Sequence, residues 1–113
     1  MRLSIIDRII ILKSVLPESG TISDLKLIRS VKDKIKFEEE EYSKFRISIP
    51  SANVIQIDEV TDDMKVRDGY YSFTAEEVEL LKRYARMQDE YGHVTEDSLD
   101  TVEMLIEYST QEE

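Results

Sequence analysis

Residues 73–108, FTAEEVELLKRYARMQDEYGHVTEDSLDTVEMLIEY, contain the strongest structural pattern in the chain: two amphipathic helices joined by a short turn. Thr74 is placed as an N-cap, and Glu77 three residues later completes a capping box. At about 100° per residue, one half of the first helix has no charged residue and contains Val78, Leu80, Leu81, Tyr84, Ala85, Met87, Gln88 and Tyr91. This pattern is typical of a helix that packs on a hydrophobic core.

The second helix of this pair follows a glycine. Gly92 stands where the C-terminus of a helix favours a left-handed residue, and Thr95 is placed to cap the next helix. The apolar stripe of that helix consists of Leu99, Val102, Leu105 and Ile106. Because the connection is only a few residues long, we expect two antiparallel neighbours whose stripes both face the core.

The composition is that of an ordinary globular protein. A chain of 113 residues suits one domain, and 41% hydrophobic residues allow a core. The chain has no cysteine, which excludes disulfides, thiolate chemistry and cysteine metal sites. Asp7, Arg8 and Lys13 interrupt the apolar run near the start, so we expect neither a signal peptide nor a membrane span. These features fit a cytoplasmic protein.

The net charge of −10 is unevenly distributed. Residues 1–60 contain ten Lys or Arg and ten Asp or Glu, whereas residues 61–113 contain five and fifteen. The C-terminal half should therefore repel nucleic acids and anionic membranes, and a partner would be basic. The alternative interpretation is that the acidic residues form solvated faces that keep the protein soluble.

The N-terminal unit, residues 1–45, is predicted to be helical. Ser4 and Asp7 are spaced as a capping pair for a first helix over residues 5–16. Isoleucines occur on several sides of this helix, which indicates deep burial, although the same run would also suit a strand.

A second helix is predicted over residues 22–35, with Thr21 or Ser23 as its N-cap. This segment and the residue after it contain the one basic concentration in the chain, namely Lys26, Arg29, Lys32, Lys34 and Lys36. The acidic run at residues 38–41 can begin a short third helix that ends at Phe45.

Residues 46–73 are predicted to be β structure. Two segments alternate between apolar and polar residues on either side of a turn cluster, namely 45–49 and 55–57 around 50–53. This pattern predicts a β-hairpin with one buried face. Tyr71 and Phe73 predict a third short strand that leads into the helical hairpin. Because an isolated two-stranded hairpin is marginal, it needs this third strand or a helix packed across it.

Patterns of catalytic and metal-binding residues are weak. His93 is the only histidine, and we interpret it as a polar turn residue, because a catalytic base needs a nucleophile and an orienting partner. The turn at Gly92 lies between two helices, as a calcium loop does, but only Asp89 stands at a ligand position before the glycine. We expect no catalytic residue, no cofactor and no metal, and hence not an enzyme.

Paired helices also invite comparison with DNA-binding motifs. The last helix has no Lys or Arg and contains five acidic residues, namely Glu96, Asp97, Asp100, Glu103 and Glu107, which disfavours contact with phosphates. The N-terminal half could instead form a winged helix, with Lys26, Arg29 and Lys32 toward DNA. The acidic residues 38–41 would then face the same phosphate backbone, which weighs against this alternative.

The stretches RIIILKSVLPESGTISDLKLIRSVKDKI (8–35) and FTAEEVELLKRYARMQDEYGHVTEDSLDTVEML (73–105) flank a short β segment. This layout resembles small uncharacterised proteins of bacteriophages and prophages. The resemblance implies a phage-encoded accessory or assembly protein that works in the bacterial cytoplasm. It carries over no catalytic residues.

The sequence as a whole predicts an α+β domain over residues 1–113 that is mostly α. N-terminal helices and a C-terminal helical hairpin, residues 74–108, surround a small antiparallel β-sheet, and the polar tail, residues 109–113, is predicted to be frayed.

The leading functional hypothesis is a non-enzymatic protein–protein interaction module whose acidic helical hairpin contacts a basic protein partner. The predicted contact residues are Glu79, Asp89, Glu90, Asp100, Glu103 and Glu107. A homo-oligomer is a variant of this hypothesis, since the basic helix of one copy could meet the acidic hairpin of another. The alternatives are an acidic nucleic-acid mimic that inhibits a basic host protein and a winged-helix-like DNA binder using residues 22–35.

Overall fold

The computed structural model describes residues 1–51 and 54–109 and shows an α+β fold that is mostly helical. Within these residues the helices are α1 (Ile5–Ile10), α2 (Ile22–Ile35), α3 (Glu39–Phe45), α4 (Ala75–Glu90) and α5 (Glu96–Glu107). The strands are β1 (Arg2–Leu3), β2 (Ile47–Ser51), β3 (Val54–Ile57) and β4 (Gly69–Tyr70). A π-helical turn (Ile11–Val15) continues α1, and a 3₁₀ turn (Asp62–Lys65) precedes β4.

The predicted N-caps are confirmed. The Ser4 hydroxyl accepts from the Asp7 N–H at 3.0 Å, and the Asp7 carboxylate accepts from the Ser4 N–H at 2.9 Å. At α2 the cap is Thr21, whose hydroxyl accepts from the Asp24 N–H at 3.1 Å. The corresponding pairs at α4 and α5 are Thr74 with Glu77 and Thr95 with Ser98. Each hydroxyl therefore satisfies an amide that has no partner within its helix.

The turn at Gly92 ends α4 as predicted. Gly92 has a φ of 67°, in the left-handed region, and its N–H donates to the Asp89 carbonyl at 3.1 Å. The next N–H, of His93, donates to the Gln88 carbonyl at 2.8 Å. These two bonds form a Schellman motif, which reverses the chain so that α5 packs against α4.

The main core lies between α1, its π-helical extension, α2, α4 and α5. Its completely buried aliphatic side chains are Ile11, Val31, Ile35, Leu81, Ala85 and Leu105. The helical interpretation of residues 5–16 is confirmed over residues 5–15, and burial of isoleucines on several sides explains their density in the sequence.

A second, smaller core lies on another side of α1. Ile9 of α1, Phe37 and Ile47 are buried together, with Tyr42 and Phe45 of α3 packed against them. The β2–β3 hairpin therefore has a helical layer as its cover. This meets the requirement that a two-stranded hairpin needs further packing.

The third strand differs from the prediction in both position and partner. It comprises Gly69–Tyr70 rather than Tyr71 and Phe73, and it pairs antiparallel with β1 instead of joining the hairpin. The Tyr71 and Phe73 side chains pack against the main helical core, which keeps them away from the hairpin. Strand β1 is only two residues long, too short for an alternating pattern to reveal.

Two residues assigned to the core stripes are exposed, which corrects the prediction. Tyr91 is 65% exposed because it is the C-cap of α4 and lies beyond the last buried turn. Leu99 is 44% exposed. On a helical wheel it lies roughly a quarter-turn from the centre of the buried positions of α5, which are Ser98, Thr101, Val102 and Leu105. The apolar stripe of α5 is wider than the surface that the core covers.

Part of two predicted segments lies outside the described residues, namely Ala52 and Asn53 of the predicted turn and residues 110–113 of the tail. None of the helices in the described ranges has the length and apolar character that crossing a membrane requires.

Candidate functional site

An apolar groove with a volume of about 270 Å³ runs along α5 and the turn before it. Its apolar lining consists of Val94, Leu99, Val102 and Ile106, and its acidic lining consists of Asp89, Glu103 and Glu107. Val102 is buried beneath it, whereas Val94 and Ile106 are half-buried and Leu99 is exposed. We call this surface the apolar groove.

The spacing along α5 explains why apolar and acidic side chains meet there. Leu99 and Ile106 are seven residues apart and therefore lie roughly 20° apart on the helical wheel. Glu103 and Glu107 occupy the next positions round the helix, on the side away from the core. Val94, just before the Thr95 cap, folds back toward this face and closes the N-terminal end of the groove.

A more polar cleft of about 440 Å³ lies on the other side of Glu103 and Glu107. Its lining consists of Lys65, Arg67, Asp100, Glu103, Met104, Glu107 and Tyr108. Arg67 is already engaged, because its guanidinium donates to the Asp7 carboxylate at 2.8 Å and to the Asp100 carbonyl at 3.3 Å. The two carboxylates of Glu103 and Glu107 therefore separate an apolar groove from a charged cleft.

The structure brings together four of the six predicted contact residues. Asp89, Glu103 and Glu107 line the apolar groove, and Asp100 lines the charged cleft. Glu79 lines neither surface and faces Arg86 at 3.7 Å. Glu90 is exposed near the C-terminal end of α4 but also lines neither surface.

Within the part of the chain that the structure describes, the acidic side chains of the groove have no ion-pair partner. Among the described residues, no cation lies within ion-pair distance of Asp89, Glu103 or Glu107. Like charges beside a low-dielectric apolar wall produce a focused negative potential. The groove is therefore chemically suited to a ligand that is apolar on one side and cationic at its edges.

Glu77 has tertiary partners in addition to its predicted capping role, and the sequence did not reveal them. Glu77 is 1% exposed, and its carboxylate accepts from Lys34 Nζ at 2.5 Å and from the Ser30 hydroxyl at 2.8 Å. It also accepts from the Thr74 N–H at 2.8 Å. Burial raises the pKa of Glu77, but these hydrogen bonds and the Lys34 charge lower it by more, so its pKa lies below the ordinary value.

Arg8 joins two helices in the same way. Its guanidinium is buried and donates to Glu41 Oε2 at 2.5 Å, to the Ile35 carbonyl at 3.0 Å and to the Lys36 carbonyl at 2.7 Å. The guanidinium carbon also lies 4.2 Å from the centre of the Phe37 ring. Arg8 thus satisfies carbonyls at the end of α2 and the first-turn carboxylate of α3 together.

No catalytic arrangement forms around His93 in the described part of the chain. Its side chain is exposed, and its ring lies 6.1 Å from the ring of Tyr91. Among residues 1–51 and 54–109, no group of three or more His, Asp or Glu side chains is arranged to hold a metal ion. Every deeply buried side-chain nitrogen or oxygen in those residues has a hydrogen-bond partner.

The apolar groove could have been partly predicted, since the wheel position of Leu99 places it away from the centre of the buried stripe. The charged cleft could not be predicted, because Lys65 and Arg67 reach α5 only through the packing of the segment before β4. No protein-family model, curated protein or solved structure matches the chain.

Proposed function

We propose that the protein is a non-enzymatic protein–protein interaction module that binds a basic amphipathic helix in the apolar groove. The observation that carries this proposal is the combination of exposed Leu99 with three carboxylates that have no cation within the described residues. An acidic face alone would be explained by solubility. Exposed Leu99, with half-buried Val94 and Ile106, places aliphatic surface directly beside that face, so a ligand can make apolar and charged contacts together.

The shape of the groove favours a helical ligand. It follows α5 from Leu99 to Glu107, a rise of about 12 Å. That length accommodates two turns of a second helix, which would present apolar residues at i, i+3 or i+4 and i+7. Lysines or arginines beside those residues would meet Asp89, Glu103 and Glu107.

Apolar contact and charge would contribute differently to binding. Complete burial of a leucine contributes about 1.5–3 kcal/mol, and Leu99 still has about half of its surface to bury. Each exposed ion pair contributes only about 0.2–1 kcal/mol. The acidic residues therefore mainly orient the ligand and accelerate its association, whereas the apolar floor supplies most of the affinity.

The resemblance to phage proteins suggests where such a module would act. A module of this kind would act as a phage-encoded accessory or assembly protein in the bacterial cytoplasm. Its partner would be a protein with an exposed basic helix.

A fluorescence anisotropy titration with a designed peptide tests the proposal. The probe is a labelled 18-residue helical peptide of leucine and lysine, with the leucines along one face. One control peptide has the same composition in scrambled order, and a second has glutamate in place of lysine. We expect saturable binding of the first peptide, and at least about tenfold weaker binding of both controls. Equal binding of the ordered and scrambled peptides would contradict a groove that recognises an amphipathic face.

Protein variants separate the two components of the groove. Leu99→Ser should weaken binding of the ordered peptide without changing the net charge. The triple variant Asp89→Asn, Glu103→Gln, Glu107→Gln should also weaken it. A matched control removes three exposed acidic charges elsewhere, at Glu59, Asp62 and Asp63, and should bind like the wild type. If the control variant lost as much affinity as the triple variant, binding would reflect net charge rather than this groove.

A further inference from the structure

The outward face of α2 carries exposed apolar and cationic side chains, which are complementary to the apolar and acidic lining of the apolar groove. Ile22 is 76% exposed, and Leu25, one turn later, is also exposed. The other exposed residues on this face are mostly cationic, namely Lys26, Arg29, Lys32 and Lys36, with Asp33 among them. The buried residues of α2 lie on the opposite side, at Ile28, Val31 and Ile35.

The cations on this face have no acidic partner within the described part of the chain. Lys34, at the edge of this face, pairs with Glu77 of α4. Lys26 and Arg29 lie within ion-pair distance of no described acidic side chain. Ile22, Leu25, Lys26 and Arg29 have the spacing i, i+3, i+4 and i+7. Ile22 and Leu25 thus supply two apolar positions one turn apart, and Lys26 and Arg29 continue the same face as cations.

We infer that the partner of the apolar groove is a second copy of this chain, which inserts the Ile22 end of its α2. This inference rests on the proposed function of the groove. In the contact, Ile22 and Leu25 would cover Leu99, while Lys26 and Arg29 would pair with Glu103 and Glu107. The α2 face and the apolar groove are then complementary both in apolar surface and in charge. This local attraction acts against the long-range repulsion between two molecules that each have a net charge of −10.

The contact joins two different surfaces of the protein. Two copies related by a two-fold axis make it twice, which closes the assembly as a dimer and doubles the buried area. Without that axis, the same contact would continue from copy to copy. Both arrangements need the same pairing of α2 with the groove, so the same substitutions test both.

Sedimentation-velocity ultracentrifugation of full-length variants over a concentration series tests the inference. One variant, Lys26→Glu with Arg29→Glu, reverses the charge of the α2 face. The second, Glu103→Lys with Glu107→Lys, reverses the charge of the groove. We expect the wild type to self-associate and each variant alone to associate at least about tenfold more weakly. An equimolar mixture of the two variants should recover association, because every contact again joins opposite charges.

The mixture distinguishes a specific contact from an effect of net charge or misfolding. A control variant, Lys13→Glu with Lys44→Glu, changes the net charge as the first variant does, at exposed positions outside both surfaces. It should associate like the wild type. A wild type that stays monomeric throughout, or a mixture that fails to recover association, would overturn the inference. If the leucine–lysine peptide still bound in that case, the groove would keep its proposed function with a different partner.

Discussion

Arg67, in the loop before β4, donates through Nε to the carboxylate of Asp7 in the first turn of α1 at 2.8 Å. Asp7 is 2% exposed, and it also accepts from the Ser4 N–H and, at 2.6 Å, from the Thr101 hydroxyl of α5. One carboxylate thus caps a helix, holds a loop and contacts a second helix. Because Arg67 also reaches the Asp100 carbonyl, this interaction supports the side of α5 that carries the charged cleft.

The same arrangement occurs at the first four helices. The third residue of each is acidic and pairs with a cation from a distant part of the chain, namely Asp7 with Arg67, Asp24 with Arg83, Glu41 with Arg8 and Glu77 with Lys34. A carboxylate at this position already interacts favourably with the helix dipole and the free amides. Asp7, Glu41 and Glu77 also accept from the N-cap N–H of their helices, so at these three the cation converts a local cap into a tertiary contact. The acidic side chains of the apolar groove, Asp89, Glu103 and Glu107, have no such cation among the described residues.

Replacement of Arg8 tests the buried joint between α2 and α3. Arg8→Met should lower the free energy of unfolding by about 3 kcal/mol, because the buried Ile35 carbonyl and the partly buried Lys36 carbonyl and Glu41 carboxylate lose their partner. Urea denaturation followed by circular dichroism measures this change. Arg86→Met, at an exposed position with a 3.7 Å contact to Glu79, should change stability by no more than about 0.5 kcal/mol. Equal effects of the two substitutions would contradict the role assigned to Arg8.

Asp7 and Arg67 should contribute unequally to stability. Asp7→Asn should lower the free energy of unfolding by about 2–4 kcal/mol. The new amide NH₂ group cannot accept hydrogen bonds from both Arg67 and Thr101, as the carboxylate does. Arg67→Gln should lower the free energy of unfolding by less, about 1–2 kcal/mol, since the Asp7 carboxylate keeps its bonds from the Ser4 N–H and the Thr101 hydroxyl. A double-mutant cycle with both substitutions measures their coupling. Additive effects would show that the ion pair does not stabilise the fold.

The stability of the protein should depend on pH through these caps. Burial raises the pKa values of Asp7, Glu41 and Glu77, but hydrogen bonds and cations lower them by more, so each pKa lies below its ordinary value. Such groups stabilise the fold fully above their unfolded-state pKa values, about 4, and this contribution is lost as pH falls through the lower folded-state values. The free energy of unfolding should therefore decrease below about pH 4.

Asp7→Asn provides the check on that assignment. Without the carboxyl group, the variant should be less stable at neutral pH but should lose less stability between about pH 4 and pH 2. Urea denaturation at a series of pH values measures both slopes. An identical acid dependence in wild type and variant would exclude Asp7 as one of the responsible groups.

Gly92 should be sensitive to substitution for reasons of backbone conformation alone. An added Cβ would meet no atom within 4 Å, but the φ of 67° is unfavourable for alanine. Gly92→Ala should therefore cost about 1 kcal/mol, and Gly92→Asn less, because asparagine tolerates this conformation better. Gly20→Ala is the control, since its Cβ would make only ordinary contacts of 3.5 and 3.7 Å. In thermal unfolding, the melting temperature of Gly92→Ala should be clearly lower than those of Gly92→Asn and Gly20→Ala.

The sequence predicted what depends on neighbouring residues. The caps at Ser4, Thr74 and Thr95 and the turn at Gly92 were correct, because their donors and acceptors lie within five residues of each other. The helix over residues 5–15 was also correct, because its isoleucines do not follow the two-residue period of a strand.

Contacts between distant parts of the chain could not be predicted in this way. The pairing of β1 with β4 joins two strands of two residues each, which leave no periodic signal. The cation that each capping carboxylate receives depends on how the helices pack, and no local pattern specifies it. Leu99 was assigned to the core because periodicity shows which residues of a helix are apolar. It does not show how much of that apolar surface other helices cover.

The measurement that tests the groove most directly is a titration of the ¹⁵N-labelled protein with the leucine–lysine peptide, followed by amide chemical shifts. We expect the largest changes at Val94, Leu99, Glu103 and Ile106, with little change at the equally acidic stretch around Asp62 and Asp63. Changes distributed over all acidic surfaces, or centred on Glu79 and the N-terminal half of α4, would contradict the assignment of the apolar groove as the binding site.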